Sequence, residues 1–250
     1  MTTTFDPDPD LLSEQRCWLS AFDARHGRKW ENLLRADMEA AMSEAAVRRL
    51  LEQNGNLVEP NEDLTGAKQS PDFRCTQARQ TFFVEVTCLS VEAVTPLLRA
   101  GHYVDLTERF FNKCRTKTPQ CANMQYPSLV AMATVEPAAS SMWFGQDEAA
   151  KLLTGEPILT IDPHTGESRL ITHLQNSAFM TWERTTGEVI PARSSVSGVL
   201  LCGFGVEPFQ VRCVMHPSPV RPFDRSLLPG VEFCRLKDGY KAGKLEIEQF

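Results

Sequence analysis

No stretch of this 250-residue chain stays apolar for the ~18 residues that a membrane-spanning helix needs. The first ten residues, MTTTFDPDPD, are acidic and lack the basic-then-apolar pattern of a secretory leader. These absences predict a cytoplasmic protein that does not engage a membrane. The sequence has no CxxC pair, no internal repeat, no low-complexity tract and no clear linker, which predicts one α/β domain. It also lacks an excess of positive charge. Its net charge is −6, whereas a protein that coats nucleic acid indiscriminately is basic. Any nucleic-acid contact therefore falls to a local basic patch.

Eight cysteines are present. With no leader, and with Cys88, Cys202 and Cys213 inside apolar segments, reduced and buried thiols are expected rather than disulfides. Cys202, Cys213, His216 and Cys234 are spaced unlike any standard zinc site.

Residues 1–10 read as an acidic tail, followed by a helix from about Leu11 to Ala24 that HGRK interrupts. Residues 1–29 are thus taken as a tail and helix, and 30–250 as the domain. A long helix is expected from Trp30 to Gln53, stopped by Asn54-Gly55. A short strand follows at Leu57-Val58. Two strand-like runs, DFRCT and TFFVEVTCL, flank a polar TQARQ and predict a hairpin. A helix over Asp105–Lys117 and a buried strand in YPSLVAMATV come next. DEAAKLLTG reads as a short helix, and a hairpin is expected to turn at Pro163–Gly166. VSGVLLCGFG and FQVRCVMH read as strands, so the final third is mostly β.

Glu85 stands inside the apolar run TFFVEVT. If the hairpin turns between Ala78 and Arg79, paired residues sum to 157 and Asp72 faces Glu85. Opposed Cβ atoms lie ~5 Å apart, so two like charges there need a cation between them. A hard divalent ion suits carboxylate oxygens. On the preceding helix Leu33, Ala40, Glu44, Val47 and Leu51 share one stripe at 100° per residue, with Asp37 beside them. Glu44 is therefore a third candidate ligand, the alternative being a stripe-edge residue that reaches water. The Val86 carbonyl lies between Glu85 and Thr87. Arg109, Lys113 and Lys117 follow at i, i+4 and i+8, a basic stripe beside the apolar Leu106, Phe110 and Cys114. Such a stripe either binds phosphate or is merely solvated.

The ordered combination resembles the PD-(D/E)XK, or restriction-endonuclease-like, nuclease superfamily. Its carriers are Glu44 on a helix, Pro71-Asp72, Glu85-Val86-Thr87, a following helix and the YPSLVAMA strand, over roughly Trp30 to Thr134. The resemblance implies a central mixed β-sheet flanked by helices, with 142–250 as a β-rich C-terminal extension. It implies Mg²⁺, or Mn²⁺, held by Asp72, Glu85, the Val86 carbonyl and Glu44, and hydrolysis of nucleic acid, DNA favoured. Thr87 stands where the family has its lysine. The resemblance makes Lys113 the first candidate to replace it, with Lys117 and Lys68 behind it. Arg109, Lys113, Lys117 and Lys68 are the residues expected to meet nucleic acid. The net charge of −6 suggests a homodimer or a partner protein. Two further readings stand beside the nuclease: a catalytically silent binding or assembly subunit of the same fold, and an unrelated α/β protein in which Arg74 or Arg79 pairs with Glu85.

Overall fold

The computed structural model describes residues 8–61, 70–89, 106–122, 124–135, 137, 140, 152–155, 157–161, 163–172, 177–183, 185–186, 188–237 and 247–249. Three helices open the chain: α1 (Pro9–Leu19), α2 (Ala24–Ala36) and α3 (Met38–Gln53). Strands β1 (Leu57–Pro60), β2 (Phe73–Gln77) and β3 (Gln80–Cys88) follow, then helix α4 (Leu106–Cys121) and strand β4 (Ser128–Thr134). Two small hairpins come next, β5 (Pro157–Ile161) with β6 (Ser168–Thr172) and β7 (Met180–Trp182) with β8 (Val189–Pro191). Last are β9 (Gly198–Gly203), β10 (Gln210–Met215), β11 (Glu232–Leu236) and β12 (Ile247–Gln249).

Eight strands form one mixed sheet in the order β1-β2-β3-β4-β9-β10-β11-β12. β4 pairs in parallel with both β3 and β9, so the C-terminal strands extend the sheet that carries Glu85. Alternating side chains give the sheet two buried faces. Val84, Val86, Leu129 and Ala131 pack with Val47 and Leu51 of α3 on one. Val130 and Met132 pack with Cys114 and Cys121 of α4 on the other. Among the described residues no helix is long and apolar enough to cross a membrane.

The expected single helix over Trp30–Gln53 is two helices, and HGRK lies inside α2 rather than breaking the chain. The break comes at Asp37, extended at φ −151°, ψ 91°. Its carboxylate accepts from Ala40 N at 2.9 Å, capping α3 in competition with continued helix. Leu33 and Glu44 therefore sit on different helices. Trp30 nonetheless joins Leu11 and Leu19 to Ala41, Met42 and Ala45 in one core, which fixes α1 and α2 against α3.

The hairpin has the expected register, from Phe73↔Val84 to Gln77↔Gln80. Its two-residue turn places Ala78 at φ 48° and Arg79 at φ 69°. Hairpin turns of this hand favour Asn-Gly, because L side chains crowd the backbone there. Replacing Ala78 by Asn and Arg79 by Gly together should stabilise the protein by about 1 kcal/mol. Urea unfolding reads this directly, and an unchanged midpoint would refute strain in the turn.

A candidate active site at the end of strand β2

β1 ends at Pro60 and β2 begins at Phe73, so beyond Val84 strand β3 has no partner on that side. The amides of Phe83 and Leu89 face β4. By strand alternation that of Val86 points the other way, into the gap. Asp72 fills the gap: its Oδ2 accepts from Val86 N at 2.7 Å. The Val86 carbonyl points to the same side of the strand as its amide. Asn61 fixes the Asp72 main chain, its N donating to Asp72 O (2.8 Å) and its Nδ2 to Pro71 O (3.1 Å). Asp72 lies one step past the ladder, opposite Glu85 in the same register.

Glu85 is only 1% exposed. Lys117 Nζ donates to its Oε1 at 2.5 Å. With its amide turned so that nitrogen faces the carboxylate, Gln120 also donates to Oε1 (2.5 Å) and Oε2 (3.2 Å). Burial acts against the Lys117 charge, yet Glu85, and behind it Asp72 and Glu44, outweigh burial and raise its pKa above the ordinary 10.5. Lys117 is therefore a fixed positive charge at neutral pH and not a proton acceptor.

Glu44, Asp72, Glu85, Lys117 and Gln120 line one cavity of about 260 Å³. With the two ammonium groups, Lys117 and Lys29, the three carboxylates leave the lining a formal charge of −1. Glu44 approaches from α3, Glu85 and Lys117 from the α4 face, and Asp72 from the gap between them. A larger groove of about 770 Å³ beside Leu50, Asn54 and Phe209 contains one carboxylate, Glu232, already paired with Arg212 at 2.6 Å. The chemistry converges in the smaller cavity.

Lys117 meets Glu85, whereas Lys113, the first candidate in the sequence, lies one turn earlier toward Cys88. Burial pushes the Cys88 thiol up to about 12, with Lys113 among the charges near it. Arg109 is on α4, its side chain outside those described, and Lys68 lies outside the described residues. Thr87 is buried two positions beyond Glu85. Arg74 pairs with Glu59 (3.6 Å), and Glu85 pairs with Lys117 from α4 rather than with an arginine of the hairpin. Gln120 and Asn61 were not legible as site residues: α4 runs to Cys121, past the expected end at Lys117. Only the i+3 spacing of Gln120 from Lys117 hints at its place.

All eight cysteines are free, and only Cys17 is exposed. Burial pushes Cys114 and Cys121 up to about 12 and Cys234 to about 11. His216 is occupied elsewhere, its Nε2 donating to Ala192 O (2.8 Å) and its Nδ1 accepting from Ser218 N (3.0 Å). Among the described residues no three His, Cys, Asp or Glu side chains form a ready-made metal cage. Around Glu85 the cation in place is the Lys117 ammonium. The oxygen donors and the net negative lining nevertheless suit a hard divalent ion. No protein-family model, curated protein or solved structure matches this chain.

Proposed function

We propose that the chain is a divalent-metal-dependent nuclease with a restriction-endonuclease-like core, hydrolysing phosphodiester bonds, of DNA in preference to RNA. One observation carries the reading. Lys117 Nζ of α4 lies 2.5 Å from Glu85 in a cavity shared with Asp72 and Glu44, where it would stand in for the lysine that Thr87 replaces. Asp72, Glu85 and the Val86 carbonyl would hold Mg²⁺ or Mn²⁺, with Glu44 as a further ligand. When bound, that ion would supply Lewis acidity and lower the pKa of water so that hydroxide is available as the nucleophile.

The protein's own groups do the rest. Asn61 and the Val86 amide hold Asp72 in one orientation, and Gln120 holds Glu85. Lys117, charged throughout, offers N–H donors to the negative charge that grows on the phosphoryl oxygens. Trp18, Leu19, Leu33 and Phe73 supply an apolar wall that strengthens these interactions.

The test is cleavage of DNA and RNA oligonucleotides in Mg²⁺, in Mn²⁺ and in EDTA. Cutting in either metal that EDTA stops is the expected result. A protein that cuts none of them is the silent binding or assembly subunit, the reading that Thr87 and the net charge of −6 favour.

A further inference from the structure

Helices close one side of the carboxylate cavity. Trp18 and Leu19 of α1, with His26, Lys29, Trp30 and Leu33 of α2, make that wall. It is built into the fold. Trp30 is buried against Leu19, Ala41 and Ala45, and its Nε1 donates to Ala41 O at 3.2 Å. Arg48 of α3, itself buried, binds Gln15 Oε1 of α1 at 2.6 Å and ion-pairs with Glu52 and Glu14 (3.8 Å). Its guanidinium lies over the Trp18 ring, 5.4 Å from the centroid. Arg49 adds a second tie to Glu14 at 2.9 Å. Swinging the wall aside would open this core and strip a buried arginine of its α1 partners, Gln15 and Glu14.

A fixed wall limits what can approach Glu85. The cavity, about 260 Å³, falls below the usual range of small-ligand pockets, roughly 300–1,000 Å³. A space that small suits a phosphate and its sugar rather than a stacked base pair. A single strand needs room beside the carboxylates for its own backbone and bases alone, whereas a duplex needs room for a second strand as well. An unpaired strand enters without the cost of unpairing and unstacking. The wall offers Trp18 and Leu33 to sugar or base, and Lys29 and His26 to flanking phosphates.

We infer that the site, on the nuclease reading on which this inference rests, takes unpaired nucleic acid: a single strand, a flap or a frayed end. The experiment uses the full chain and one labelled sequence in five forms. These are single-stranded DNA, single-stranded RNA, blunt duplex DNA, flapped duplex and covalently closed duplex circle. Cleavage is followed in Mg²⁺ and Mn²⁺, and binding by fluorescence anisotropy in EDTA. Single strand and flap should be cut about a hundredfold faster than blunt or closed duplex. Duplex cut within about threefold of single strand overturns the inference while leaving the nuclease reading intact. Should no form be cut, the nuclease reading fails and binding alone decides: preference for the single strand upholds the inference, and equal or tighter duplex binding overturns it. Lys29→Glu, at an exposed position of the wall, should weaken single-strand binding about tenfold, with circular dichroism confirming that the variant is folded. Unchanged affinity would mean that the strand does not pass this wall.

Discussion

Lys117→Met should lower the unfolding free energy by about 3 kcal/mol and remove cleavage at the same time. Glu85 is 1% exposed and cannot recover in water what it loses. Removing one member of a buried pair leaves the other charge uncompensated, and that is the expensive direction. Gln120 still donates to Glu85, which keeps the cost from growing larger. The reverse truncation is cheaper. Lys117 is 28% exposed, so in Glu85→Gln its ammonium can turn toward solvent. The double variant Lys117→Met/Glu85→Gln removes both charges and should regain most of the stability but none of the activity. That recovery separates a structural role from a chemical one. The pH dependence has a definite sign. The folded-state pKa of Lys117 is raised, so its contribution is complete below the ordinary 10.5 and is lost only as pH climbs through the higher folded value. The ion pair therefore persists across neutral pH. A single-variant loss under about 1 kcal/mol in urea unfolding would mean that Glu85 is compensated by other means.

The hairpin was legible because two local signals agree. TFFVEVT carries the β-branched and aromatic run, and the polar TQARQ between the runs centres the turn. The register that sets Asp72 across from Glu85 follows from that alone. The α2–α3 break was not legible. Apolar spacing carries through Leu33 and Leu34 to Ala40 and Ala41, and the interruption depends on one capping carboxylate, Asp37. The choice between Lys113 and Lys117 is different in kind. They occupy one stripe four residues apart, about 6 Å along the axis, and which of them meets Glu85 depends on where α4 crosses β3. That is a tertiary fact with no local signature. Gln120 was hidden by Pro119, which reads as a terminator yet lies inside the last turn of α4, two residues before its end.

Asp72→Asn and Glu85→Ala should each reduce metal-dependent cleavage by more than about a hundredfold, since changes in groups that merely support metal ligands already cost 10–100-fold. The two substitutions test different things. Asparagine keeps an oxygen that can accept from Val86 N, so the gap beside β3 stays closed and stability should hardly change. What it loses is negative charge. Asp72→Ala loses the acceptor as well and should cost about 1 kcal/mol more in stability, because the Val86 amide is left without the bond that a strand neighbour would have provided. Comparison of Asp72→Asn with Asp72→Ala therefore reads charge against architecture at one position. Affinity for Mn²⁺, followed by its water-proton relaxation, should fall in both variants. Full cleavage by Asp72→Asn would remove Asp72 from the chemistry and leave it as the cap of a strand. Loss of cleavage with unchanged stability and weakened Mn²⁺ binding would make it a ligand. Glu85→Ala leaves Lys117 without its partner but able to reach water, so its activity loss should exceed anything its stability change explains.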